Sequence, residues 1–368
     1  MNSAALIQDN EPRASSLPRD AGLRALADKH GGIADLLPAG RRVIYLDYAF
    51  TTNVGDQLIV LGTLAFFERY GVDVKFSRNL HNIEDLDRIG IGPDDIIVLH
   101  GGGNFGDIYP HFQRFREAIV RRFATHRIVI MPQTVHFADR RGMEMSCRLF
   151  AEHPDLTLFV RDRRSLALME PYLGQRAKLM PDMAHQLWPG LLKEVREKPA
   201  LPCPDPLFLI RRDVEEGAVA APLRAFEHRF TDWEDLTSTR FKISRRIIRW
   251  QYPLAKQGLR LIDLDRAYFA TMRQEIIDTA RLLDAHPVWL TSRMHGAILG
   301  ILLGKPIFAL DNSYGKLSSY FEAWAEWIKP ARIVSTDAEI EGVVDYLNAT
   351  KGATKLERWT EYLAGDHG

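Results

Sequence analysis

Residues 289–316 read WLTSRMHGAILGILLGKPIFALDNSYGK, and the order of residue types in this stretch decides the fold class. An apolar strand, Val288 to Thr291, meets a polar corner. A short helix apolar on every side, Met294 to Leu303, comes next, and a second apolar strand, Ile307 to Leu310, follows Pro306. Strand, crossover helix and strand form a β/α unit, which builds a parallel sheet covered on both faces. A helix apolar all round is a buried one. Its amino end then turns free N–H groups and the positive end of the helix dipole toward an anion. Ser292 reads as the N-cap. Arg293 supplies a planar fork for carboxylate or phosphate, and His295 a proton that moves near neutral pH. Lys316, after the next strand, can reach the same corner as a point charge.

The alternation extends toward the amino terminus. Strands are expected at Val43–Tyr48, Val72–Phe76, Asp95–Leu99, Arg127–Met131, Leu156–Val160, Lys178–Met180 and Leu207–Ile210. Helices are expected at Gln57–Tyr70, Ile108–Phe123, Gly142–Phe150, Arg164–Tyr172, Asp265–Ala285 and Asp337–Leu347. The run KEVREKPALPCPDP (193–206) has four prolines and no apolar period, and it reads as a connection between two domains. The basic and aromatic segment Thr231–Gln257, which contains FKISRRIIRWQY, has no clear assignment.

Composition narrows the function. A chain of 368 residues with 46% apolar content suits two α/β domains. Basic and acidic residues balance at 48 each, so no global field draws nucleic acid or an anionic membrane, and only a local basic cluster is left to bind an anion. Cys147 and Cys203 belong to no metal or redox spacing, and a cytoplasmic location is expected. Residues 1–20 read as a mobile polar tail without a signal sequence, and no membrane-spanning run is present.

In parallel sheets, ligands gather beyond the carboxyl ends of strands. Four more strand ends therefore matter. In NVGD, Asn53, Gly55 and Asp56 form a βα turn, with Asp56 as a helix cap or a ligand group. In GGGNFGD, Gly101, Gly102 and Gly103 with Asn104 form a tight turn or a ligand loop, and neither a phosphate loop nor a dinucleotide fingerprint is matched. In PQTVHF, Gln133 and His136 are surface groups or sugar contacts. In RDRRS, Arg161 is an anion fork or the partner of a nearby acid.

Taken together, NVGD at 53–56, GGGNFGD at 101–107, RDRRS at 161–165, MPD at 180–182 and SRMHGAILGILLGKP at 292–306 resemble the polysaccharide pyruvyl transferase family. The PQTVHF segment is similar to the exopolysaccharide branch. The resemblance implies an α/β fold of two Rossmann-like domains facing a central cleft, GT-B-like: residues 21–190, a linker at 191–206, and residues 207–368 carrying the donor site. It implies phosphoenolpyruvate as donor and a sugar or lipid-linked oligosaccharide as acceptor. No metal cluster is visible in the sequence, so metal independence and no further cofactor are expected. Arg161, Arg293, His295 and Lys316 fall where the family keeps donor-binding and catalytic groups. His295 is then the general acid, and Asp56 and Asp182 are the candidate bases. A nucleotide-sugar glycosyltransferase and a non-catalytic glycan-binding protein are the rival readings. A lipid-linked acceptor implies peripheral contact with the inner membrane face, for which the segment around Arg245, Arg246 and Trp250 is either a contact or simply a solvated helix face. The oligomeric state is not readable from the sequence.

Overall fold

The computed structural model describes residues 18–83, 86, 90–212, 221–256, 263–311, 315–329 and 332–349. Two parallel sheets organise the chain. The larger contains β1 (Val43–Leu46), β2 (Val74–Arg78), β3 (Ile96–Leu99), β4 (Gly102–Gly106), β5 (Ile128–His136), β6 (Leu156–Val160) and β7 (Ala177–Leu179). Their order is β2-β1-β3-β5-β6-β7, with β4 paired alongside β5. The smaller contains β8 (Leu207–Leu209), β9 (Trp289–Thr291), β10 (Ile307–Leu310) and β11 (Arg332–Val334), in the order β11-β10-β9-β8. Every residue of β1, β3, β8, β9 and β10 is buried, as befits strands covered by helices on both faces.

One apolar cluster joins the sheets. It takes Val43, Val98 and Phe159 from the larger, Leu207, Trp289 and Ile307 from the smaller, and Leu58 and Ile298 from helices between them. The helix Met294–Leu303 lies directly on the smaller sheet because its glycines permit it. A Cβ on Gly300 would stand 2.1 Å from Ile307 Cδ1, and one on Gly296 would stand 2.7 Å from Leu209 Cδ2.

Several expectations change. The segment read as a linker opens with the helix Gly190–Glu197, whose Leu191 and Val195 are buried. The apolar spacing of Leu191, Leu192 and Val195 outweighs the prolines that follow. The unassigned segment becomes two helices, Trp233–Leu236 and Thr239–Lys256. The three-glycine turn continues into β4, with Gly102 at φ +130° and Gly106 at φ +124°. Gln133 therefore lies in a strand rather than a loop, because β5 runs on to pair with β4. Residues 1–17 of the expected tail lie outside the described residues, and the helix Arg19–Lys29 begins just inside it. No helix among the described residues is long and apolar enough to cross a membrane.

Candidate active site

A cleft of about 990 Å³ opens where the carboxyl ends of the two sheets converge. Its lining includes Asn53, Asp56, Gly101, Gly102, Gly103, Asn104, Arg161, Ser292, Arg293 and His295. Most of the residues singled out in the sequence, far apart along the chain from Asn53 to His295, thus line one cleft.

His295 sits in the first turn of the helix Met294–Leu303. Its Nε2 lies 3.2 Å from Asp182 Oδ2. Arg161 Nη1 donates to the same oxygen at 2.6 Å, and the Ala184 amide donates to the other at 2.9 Å. Burial acts to raise the Asp182 pKa. The cationic or hydrogen-bonding His295, Arg161 and the Ala184 amide outweigh burial and hold the carboxyl well below its usual range. Asp182 is therefore a carboxylate beneath the imidazole and does not line the cleft as a base for a sugar hydroxyl. Arg161, 1% exposed, is likewise engaged: its Nε donates to Thr134 Oγ1 at 2.7 Å. The imidazole approaches Gly55 closely. A Cβ at that position would stand 3.0 Å from His295 Nδ1, so Gly55 admits the ring.

The caps differ from those expected. Asn53, not Asp56, caps the helix Val54–Arg69, its Oδ1 accepting from the Gly55 amide at 2.9 Å. Asp56 lies one turn inside and faces the cleft. Ser292 does not cap the helix that carries His295. Its Oγ accepts from the Arg211 amide at 2.8 Å and so ties β8 to β9. That helix starts with Arg293 at the N-cap position and no side-chain cap, which leaves its amino end suited to an anion.

Arg293 forks onto Asp232, with Nε donating to Oδ1 at 2.8 Å and Nη2 to Oδ2. Both side chains are nearly buried. Asp232 also caps the helix Trp233–Leu236 in a capping box with Asp235. The Asp232-x-x-Asp235 spacing marks that helix start in the sequence, but nothing there reveals the arginine, 61 positions away. Two other contributors escaped the sequence reading. His100 lines the cleft immediately after β3, at a strand end like the others. Burial pushes its imidazole down to about 3, so it is a neutral ring, paired with Tyr45 OH at 2.6 Å. Arg116, fully buried, donates to the Asn104 carbonyl at 3.0 Å and to its side-chain oxygen, holding the glycine segment from behind. Gln133, fully buried and outside the cleft lining, acts from behind as well, donating to the His100 carbonyl at 2.6 Å. Lys316 opens the helix Lys316–Ala323, but its side chain lies outside the described residues. Among the described residues, no group of three His, Cys, Asp or Glu side chains is placed to hold a metal ion.

Comparisons with known proteins identify the family. A Bacillus subtilis (strain 168) protein named "Putative pyruvyl transferase EpsO" is 32% identical over 322 residues, covering 87% of this chain and 96% of its own. "Pyruvyl transferase 1" of Schizosaccharomyces pombe is 31% identical over 293 residues, covering 77% of this chain and 70% of its own. A functionally uncharacterised protein from Klebsiella pneumoniae subsp. pneumoniae NTUH-K2044 shares the fold in its crystal structure, with a TM-score of 0.57 at 19% identity over 84% of this chain and 98% of that one. The polysaccharide pyruvyl transferase family model matches residues 53–314, a span that includes His295, Arg161, Arg293, Asp182 and Asp232, and the chain therefore belongs to that family of pyruvyl-transferring enzymes.

Proposed function

We propose that the enzyme moves a pyruvyl group from phosphoenolpyruvate onto two hydroxyls of one sugar in an exopolysaccharide or cell-surface glycan precursor. The products are a cyclic ketal and inorganic phosphate. The reading is carried by one observation: His295 stands at the uncapped amino end of a buried helix, facing the cleft, with the Asp182 carboxylate at its Nε2. With Nε2 turned to Asp182, Nδ1 is the nitrogen left to pass a proton to the donor's methylene carbon. A sugar oxygen then bonds to the central carbon, the C–O bond to phosphate breaks, and the second hydroxyl closes the ring on the same carbon. One hydroxyl proton replaces the one delivered to the methylene, and the other leaves with phosphate. Helix N–H groups and the Arg293 edge of the cleft stabilise the departing dianion.

In this reading the sugar packs against Tyr109 and Phe112, aromatic side chains that line the cleft. Asp56, which lines the cleft, is the candidate base for a hydroxyl proton. The two sheets then belong to two Rossmann-like domains in a GT-B-like arrangement, working at the cytoplasmic side on a soluble or lipid-linked acceptor. A phosphate-release assay with phosphoenolpyruvate and a panel of sugars and glycolipids tests this reading. Release without any acceptor dependence, or thermal protection by a nucleotide sugar and not by phosphoenolpyruvate, would refute it. Turnover is expected to persist in a chelator, and loss restored by Mg²⁺ would overturn the metal-independent part.

A further inference from the structure

The helix Thr239–Lys256 has two opposed apolar faces. Phe241, Ile248 and Tyr252 are buried against the body of the protein. Ile243, Ile247, Trp250 and Leu254 are 52%, 51%, 72% and 48% exposed. At about 100° per residue, their spacing gathers the four exposed side chains within an arc of about 60°, on the side away from the buried face. Seven large apolar side chains are exposed among the described residues, and these are four of them. Apolar side chains scattered singly need no explanation, whereas a contiguous stripe marks a binding surface.

The surrounding charges select the partner. Residues 239–256 include six Lys or Arg and no Asp or Glu. Arg240, Lys242, Arg246 and Arg249 are exposed beside the stripe. A second copy of this helix would set cation against cation. An anionic lipid surface instead neutralises every flank, accepts the indole at headgroup depth, and lets the long basic side chains reach phosphates while their stems lie on the apolar boundary.

We propose that this helix docks the enzyme on an anionic phospholipid bilayer, with Ile243, Ile247, Trp250 and Leu254 inserted at the headgroup boundary. The same helix borders the cleft. Asn79 Nδ2 donates to Tyr252 OH at 2.9 Å, and Arg245 Nη1 donates to the Phe50 carbonyl at 3.3 Å. Asn79 and Phe50 both line the cleft. Docking therefore sets the cleft rim beside the lipid surface, within reach of a sugar carried on a membrane lipid. That last consequence rests on the proposed acceptor, and the docking itself does not.

Vesicle flotation of the full-length protein tests the proposal and needs no substrate, so its outcome is independent of the transfer reaction. The protein should float with phosphatidylcholine vesicles containing phosphatidylglycerol, not with phosphatidylcholine alone, and should release in about 0.5 M salt. The double variant Ile247→Glu, Trp250→Glu should lose about tenfold or more of the vesicle-bound fraction while keeping its circular dichroism spectrum and melting temperature. A wild-type protein that ignores anionic vesicles, or a folded double variant that binds as well as wild type, would overturn it. So would a dimer that Trp250→Glu dissociates without any vesicle binding in the wild type.

Discussion

His295 connects three distant parts of the chain through contacts of a few ångströms. Its ring touches Gly55 after β1 and Asp182 after β7, while its own backbone follows β9. Replacing it with alanine should lower kcat by roughly 10²–10⁴-fold. The circular dichroism spectrum should stay intact, because the ring is a partner of Asp182 and not part of the apolar core. Steady-state phosphate release measures this, and retention of most activity would remove the acid role. Arg293 calls for a gentler substitution. Alanine would leave the nearly buried Asp232 without its counter-ion, at a cost of about 3–5 kcal/mol. Arg293→Lys keeps the charge and loses the fork. Its affinity for phosphoenolpyruvate should fall about tenfold by calorimetry, and unchanged affinity would place the donor elsewhere.

At the scale of the element, the helix Met294–Leu303 ties stability to activity. Gly300 presses against Trp289 and Ile307, and even a methyl group there would overlap Ile307 Cδ1. Gly300→Leu should lower the urea midpoint, with a loss of about 1–3 kcal/mol, and should reduce kcat as the helix lifts His295 away from Asp182. Unaltered stability would mean the helix is not seated as described. The contrast with the helix Val54–Arg69 is informative. That helix is closed by Asn53, whereas the one bearing His295 opens without a side-chain cap on the cleft. Two helix ends of the same kind thus differ in one capping side chain, and the uncapped one is where an anion is best received.

Across the whole molecule, buried histidines set the response to acid. Burial pushes His30, His100 and His185 down to about 4, 3 and 3, against the weaker upward pull of the Asp182 carboxylate on each. These rings are neutral when folded, while an unfolded chain protonates them near the ordinary value of 6.5. Between pH 6.5 and about 4 the unfolded state therefore binds more protons, and stability falls as pH drops through that window. Asp47, pushed up to about 7 by burial against the opposing pull of Arg116, works the other way as one group against three. Melting temperature should thus decline steadily from pH 7 to pH 4, and a flat profile would contradict the burial of these rings. Asp182 adds nothing to this window until lower pH, because its depressed carboxyl keeps its stabilising charge there.

The alternation of short apolar runs with helix-length segments determined the parallel α/β plan, because strands buried on both faces must be apolar throughout. The strand-end rule then located Asn53, Gly101, Arg161, Arg293 and His295, since ligands collect where parallel strands stop. Local pattern could not supply partners. Asp232 for Arg293, Asp182 for both Arg161 and His295, and Arg116 behind Asn104 are pairings between positions far apart in the chain. Nor did periodicity separate the cap from the first turn at NVGD and TSR, where a single residue's backbone dihedral decides which oxygen meets the helix N–H groups. The sequence by itself determined the kinds of element and the chemistry available at their ends. Tertiary structure alone decided which charges neutralise one another, because Coulomb and hydrogen-bond energies depend on distances of about 3 Å that only packing sets.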